Sequence, residues 1–294
     1  LAASALYSLW KEKSRAMEGE MMNKKLVVIG LGLFVATAWP ASSASKRSPS
    51  VPNGADFEAG LVRCADVMVP SSLANCGTDP LVRGEAEIKK QGDIEIAVVG
   101  AAPASTYDVV YRSLDASTEL PLGTLTTDNS GDGVLRRRGF FPVGTTGAGT
   151  IVLKRDGQDQ FLSGFDASNA EEEKFEAGLV RCSEVTQPAL LTSCGTDRLL
   201  VGKAEIEEDG EVEVAVVRAE PNQTYDVFYR SPDGSTQVSL GFLATNRAGN
   251  GRLKLPNFFL SEIGSGNIVL RRNGQDQFAT GFKVNQGGNG RRRR

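Results

Sequence analysis

The stretch Asp128-Asn129-Ser130-Gly131-Asp132-Gly133 sets oxygen-bearing side chains at alternate positions ahead of a glycine, as the start of a calcium loop does. Asp128, Ser130 and Asp132 are therefore the candidate cation ligands. The twelfth position, where a bidentate glutamate would close the shell, is Gly139. A matching stretch, Asn246-Arg247-Ala248-Gly249-Asn250-Gly251, keeps both glycines and loses the carboxylates. What the two share is a turn, so neither a metal nor a cofactor is expected. A second candidate is a set of four tyrosines, Tyr107, Tyr111, Tyr225 and Tyr229, in two Y-D-V-x-Y-R segments. Strand alternation puts the tyrosines of each segment on one face, either as core packing or as an aromatic platform for a ligand. A third is the glutamates Glu85, Glu87 and Glu95, with Glu205, Glu207, Glu211 and Glu213. Paired carboxylates could hydrolyse glycosides, but a row of them also suits a solvated sheet face that resists edge-to-edge association.

The 294 residues contain no histidine. That excludes Ser-His-Asp and Cys-His nucleophile systems, histidine-bearing metal centres and the usual proton shuttle near neutrality. With 33 basic and 36 acidic residues the chain is acidic, with a pI near 5.4. No global basic field draws in nucleic acid, despite the local clusters Arg136–Arg138 and Arg291–Arg294.

Four cysteines, Cys64, Cys76, Cys182 and Cys194, fall in two pairs with the same spacing. Four cysteines allow three pairings. Duplication selects Cys64–Cys76 and Cys182–Cys194, because an ancestral single unit had only those two. Four thiolates could instead hold a metal, but the CxxC pairs of a zinc ribbon are missing. Disulfides imply an oxidising compartment, which matches the beginning of the chain. Lys24 and Lys25 precede an apolar stretch, Leu26–Ala38, and Ser42-Ser43-Ala44 offers small residues for cleavage. We expect residues 1–21 to be upstream sequence, 22–44 a signal peptide of bacterial type, and 45–54 a linker. The apolar stretch is short for a bilayer, so no stable membrane span is expected after cleavage; an uncleaved anchor is the alternative.

An internal repeat organises the rest. Phe57–Ile88 and Phe175–Ile206 align without a gap, 20 of 32 positions being identical. The match resumes at the two Y-D-V-x-Y-R segments and at Gly157-Gln158-Asp159-Gln160-Phe161 against Gly274-Gln275-Asp276-Gln277-Phe278. We place repeat one at 55–168, an acidic linker at 169–174, repeat two at 175–285 and a Gly- and Arg-rich tail at 286–294. Each repeat reads as seven or eight short strands. Ala86 and Ile88, then Ile94, Ile96 and Val98, alternate with polar residues around a turn at Gln91-Gly92. Asp156-Gly157 and Asn273-Gly274 mark type I′ hairpins that set Lys154 opposite Asp159 and Arg271 opposite Asp276. The expected fold is all-β: two tandem antiparallel β-sandwich domains of Ig-like or Greek-key type, each with one internal disulfide and each able to fold alone.

The succession of Gly84-Glu85-Ala86-Glu87-Ile88, a glycine turn, alternating apolar residues, a proline loop and a further strand resembles the CHRD and copper–zinc superoxide dismutase-like sandwiches. The resemblance implies a sandwich. It transfers no metal ligand, because those are histidines and this chain has none. The function expected is that of an exported structural or binding protein of the periplasm, cell surface or medium, not an enzyme, whose partner is an unidentified protein or envelope component. The alternatives are a subunit of a cell-surface assembly joined by strand addition and a secreted carboxylate hydrolase.

Overall fold

The computed structural model describes residues 56–70, 73–168, 175–188, 191 and 193–285. The expected leader, both linkers and the tail lie outside them. Repeat one forms β1 (Phe57–Arg63), β2 (Arg83–Ile88), β3 (Ile94–Val99), β4 (Thr106–Ser113), β5 (Glu119–Thr126), β6 (Gly133–Arg137), β7 (Thr146–Arg155) and β8 (Gln158–Asp166). Repeat two forms β9 (Phe175–Arg181), β10 (Val201–Ile206), β11 (Val212–Val217), β12 (Thr224–Arg230), β13 (Gln237–Ala244), β14 (Gly251–Leu255), β15 (Ile263–Ser265), β16 (Asn267–Arg272) and β17 (Gln275–Lys283). The fold is all-β, antiparallel and sandwich-like, as expected. The ninth strand of repeat two arises because Gly266 interrupts the counterpart of β7.

The alternation predicts the inward residues correctly. Ala86, Ile88, Ile94, Ile96 and Val98 are buried, and so are Ala204, Ile206, Val212, Val214 and Val216. Asp156-Gly157 and Asn273-Gly274 adopt positive φ at both central positions, as a type I′ turn requires. Lys154 does face Asp159, and Arg271 faces Asp276.

The strands pair beyond each repeat. β1 binds β2 on one side and β9 on the other, so that β6-β3-β2-β1-β9-β10-β11-β14 is one continuous sheet. The second halves of β1 and β9 turn away to pair with β8 and β17. There they join a second layer made of β5-β4-β7-β8 and β13-β12-β16-β17. The two halves of that layer meet where β8 pairs with β15 and β17 pairs with β7.

One apolar core fills the space between the layers and draws on both repeats. Phe282 of repeat two stands 4.5 Å from Phe141 and 5.4 Å from Tyr111 of repeat one, centroid to centroid. Phe165 of repeat one stands 4.9 Å from Phe259 and 5.7 Å from Tyr229 of repeat two. Each repeat thus completes the other's core with a phenylalanine. Separate cores, the basis for expecting each repeat to fold alone, are replaced by a shared one. Smaller apolar clusters cover the outer side of the second layer. In repeat one, Val110, Val152 and Leu162 lie under Cys64, Cys76, Val67 and Leu73.

Candidate functional site

Both disulfides form as expected, Cys64–Cys76 and Cys182–Cys194. Each closes a loop that docks on the hairpin at the end of its repeat. The Gly77 amide donates to the Asp159 carbonyl and the Asp159 amide to the Asn75 carbonyl, both near 3 Å. Gly195, Asp276 and Ser193 repeat the arrangement.

The loop holds Asp79 against the tyrosine strand. The Tyr107 hydroxyl donates to Asp79 Oδ2 at 2.8 Å, and Arg155 Nη2 donates to Oδ1 at 2.5 Å. In repeat two the Tyr225 hydroxyl donates to Asp197 Oδ2 at 2.9 Å, and Arg272 grips both carboxylate oxygens. Burial, and then the Asp79 carboxylate, push the Tyr107 hydroxyl up to about 12. Tyr225 is raised for the same reasons. Tyr111 and Tyr229 are raised by burial, and their hydroxyls have no hydrogen-bond partner among the described residues. All four rings are fully buried. No ring face is open to a ligand, and packing is what the alternation reports.

Outside the core, Arg112 forms a two-pronged pair with Asp159 at 2.7 and 2.9 Å and a second pair with Glu119 at 2.7 and 2.9 Å. Lys154, although opposite Asp159 in register, extends instead to Glu119 at 3.0 Å. The reason is that repeat one offers it a second carboxylate, Glu119. In repeat two Gln237 replaces Glu119, and Asp276 takes both Arg230, at 2.7 and 2.9 Å, and Arg271, at 2.9 Å. Burial opposes the charge on Glu119, but hydrogen bonds from Lys154 and Arg112 outweigh it and hold its carboxyl below the usual range. The Arg271–Asp276 pair follows from the hairpin register, whereas Arg112 with Asp159 and Glu119, and Arg230 with Asp276, join strands that spacing alone does not bring together.

The candidate calcium loop is a turn whose acids serve the backbone. Asp128 Oδ1 accepts from the Ser130 and Asp132 amides, and Asp132 Oδ1 accepts from the Gly100 amide. Those amide bonds hold Asp128 below the usual carboxylate range. Asn246 and Asn250 accept the corresponding bonds in repeat two, so a carbonyl oxygen there does the same work. Among the described residues no cluster of three or more acids, cysteines or histidines is arranged to hold a metal.

The glutamates form a feature that spacing could not show. Glu95, Glu87, Glu58, Glu176, Glu205 and Glu213 lie directly opposite one another across six neighbouring strands, with Arg136 opposite Glu95 at one end and Lys254 opposite Glu213 at the other. Lys203 Nζ bridges Glu176 and Glu205 at 3.0 Å each, and Lys89 meets Glu87 at 2.9 Å. Arg136 pairs with Glu95 and Arg252 with Glu213, both at 2.5 Å. Elsewhere, Met68, Val69 and Pro70 of repeat one and Val238, Phe258 and Glu262 of repeat two border a cleft of about 280 Å³. Thr186 and Gln187 replace Met68 and Val69 at the equivalent place in repeat two.

Comparison with known protein families, with curated proteins and with solved structures finds no match.

Proposed function

We propose that this is an exported structural or binding protein, in which the duplicated sheet is a rigid carrier and not a catalyst. The observation that carries the reading is the use of the buried charged groups. Asp79 with Tyr107 and Arg155, and Arg112 with Asp159, recur as Asp197 with Tyr225 and Arg272, and Arg230 with Asp276. A catalytic acid or base must instead reach a substrate proton and be poised near the working pH. Disulfides in both repeats suit an oxidising compartment, and no helix among the described residues is long and apolar enough to cross a membrane. The partner is a protein or envelope component rather than nucleic acid. The test is capture of envelope proteins and glycans by the immobilised, oxidised chain 45–294, alongside hydrolysis assays on glycoside, ester and peptide substrates. Saturable capture without turnover supports the reading; turnover of any substrate overturns it.

A second reading, a subunit of a surface assembly, draws on a difference between two equivalent strands. β5 carries Pro121 where β13 carries Ser239. Proline in a sheet belongs on an edge, with its missing donor turned outward, and it blunts strand addition. β13 lacks that guard and exposes 68% of Phe242. Concentration-dependent sedimentation that Ser239→Pro abolishes would favour this reading.

A further inference from the structure

The contacts between the repeats have the logic of a two-fold dimer. A residue of β7 or β8 has its counterpart 117 positions later in β15–β17. Asp166↔Ile263, Phe165↔Gly264 and Gly164↔Ser265 are matched, position for position, by Lys283↔Thr146, Phe282↔Gly147 and Gly281↔Ala148. The amides of Met68 and Val69 donate to the Ile263 carbonyl, and those of Thr186 and Gln187 donate to the Thr146 carbonyl. Equivalent residues touch where an axis must pass. Phe57 and Phe175 meet edge to face at 5.9 Å, Glu58 faces Glu176, and Asn267 Nδ2 donates to Thr150 Oγ1 at 2.9 Å. A surface that contacts its own equivalent in this way is isologous, the geometry that closes a dimer.

We infer that the surface each repeat presents to the other is a self-complementary docking surface whose partner is a second copy of the repeat, so that this chain is a tethered dimer. The peptide link raises the effective concentration of one half near the other without supplying the contacts. Those come from β1 with β9, from β8 with β15, from β17 with β7, and from the exchanged Phe165 and Phe282. The surface therefore holds when the link is cut, and it accepts the matching half of another chain.

The test begins with the full chain, folded and oxidised, carrying a protease site in place of residues 171–174. After cutting, the halves should elute together at micromolar concentration at the volume of the uncut protein. Incubation with an excess of unlabelled cut protein tagged on repeat one should then move isotope-labelled repeat two of the untagged protein into the tagged fraction. In the cut Phe282→Ala protein the dissociation constant between halves should rise at least about 100-fold. If that variant does not fold, Phe282→Leu should give a smaller rise in the same direction. Halves that separate on cutting, or halves that never trade partners, would overturn the proposal. So would an affinity unchanged by substitution at Phe282.

Discussion

Tyr107 and Tyr111 share a strand, a face and complete burial, yet their hydroxyls stand in opposite positions. The Tyr107 hydroxyl donates to Asp79, a carboxylate that is itself buried. Tyr107→Phe removes that donor and should cost about 1–3 kcal/mol. The Tyr111 hydroxyl has no partner among the described residues, so Tyr111→Phe removes a desolvated polar group. It should leave stability unchanged or raise it by up to about 1 kcal/mol. Urea denaturation of the two variants decides, and equal losses would show that the Asp79 contact contributes nothing. Glu119 gives a pH-dependent counterpart. A carboxyl held below its unfolded value, near 4.5, adds stability that is present above that value and fades as pH falls through the folded one. Glu119→Gln installs what repeat two has at 237. It should cost about 1 kcal/mol at pH 7 and progressively less toward pH 3. A loss that is constant with pH would mean that the charge is not the source.

At the scale of elements, the legible strands are those with one wet face. β2, β3, β10 and β11 alternate cleanly, and the hairpins announce themselves through Asp156-Gly157 and Asn273-Gly274. β8 and β17 are buried along nearly their whole length. In such a strand the period of two disappears, because both faces are covered, and nothing local says which strand lies alongside. That is why the pairing of β8 with β15 and of β17 with β7 could not be read from spacing. The row of six glutamates was legible only in part for the same reason. Outward alternation identified Glu87, Glu95, Glu205 and Glu213, whereas their alignment depends on β1 meeting β9. The cross-repeat contact does leave one local trace, a glycine where a phenylalanine of the other repeat lies on the backbone. A Cβ at Gly264 would stand 2.3 Å from the Phe165 ring, and one at Gly147 would stand 2.3 Å from the Phe282 ring. Both rings are fully buried. Gly264→Ala should therefore cost about 1–3 kcal/mol by overpacking. Gly139→Ala, where a Cβ meets nothing within 4 Å but φ is +57°, should cost no more than about 2 kcal/mol of backbone strain. If Gly264→Ala proves neutral in thermal unfolding, the ring does not press on that strand.

For the molecule as a whole, the shared core decides how it unfolds. Two domains with separate cores would melt in two steps, each exposing about half of the buried surface. A core that takes Phe165 into repeat two and Phe282 into repeat one cannot lose one repeat and leave the other intact. We expect one transition, with a urea slope set by the surface of both repeats together. Residues 45–294 contain no tryptophan, since Trp10 and Trp39 precede them, so a single reporter can be placed in either half. Phe140 and Phe258 are equivalent positions that stack edge-on against Phe141 and Phe259 at 5.0 and 4.9 Å. Phe140→Trp and Phe258→Trp should give the same midpoint and the same slope. Adding Phe165→Ala, a change written in repeat one, should lower both midpoints together by the equivalent of about 3–5 kcal/mol. If the Phe258→Trp reporter keeps its midpoint while the Phe140→Trp reporter loses its own, the repeats are energetically independent. Their common sheet would then be a contact between two finished domains rather than the core of one.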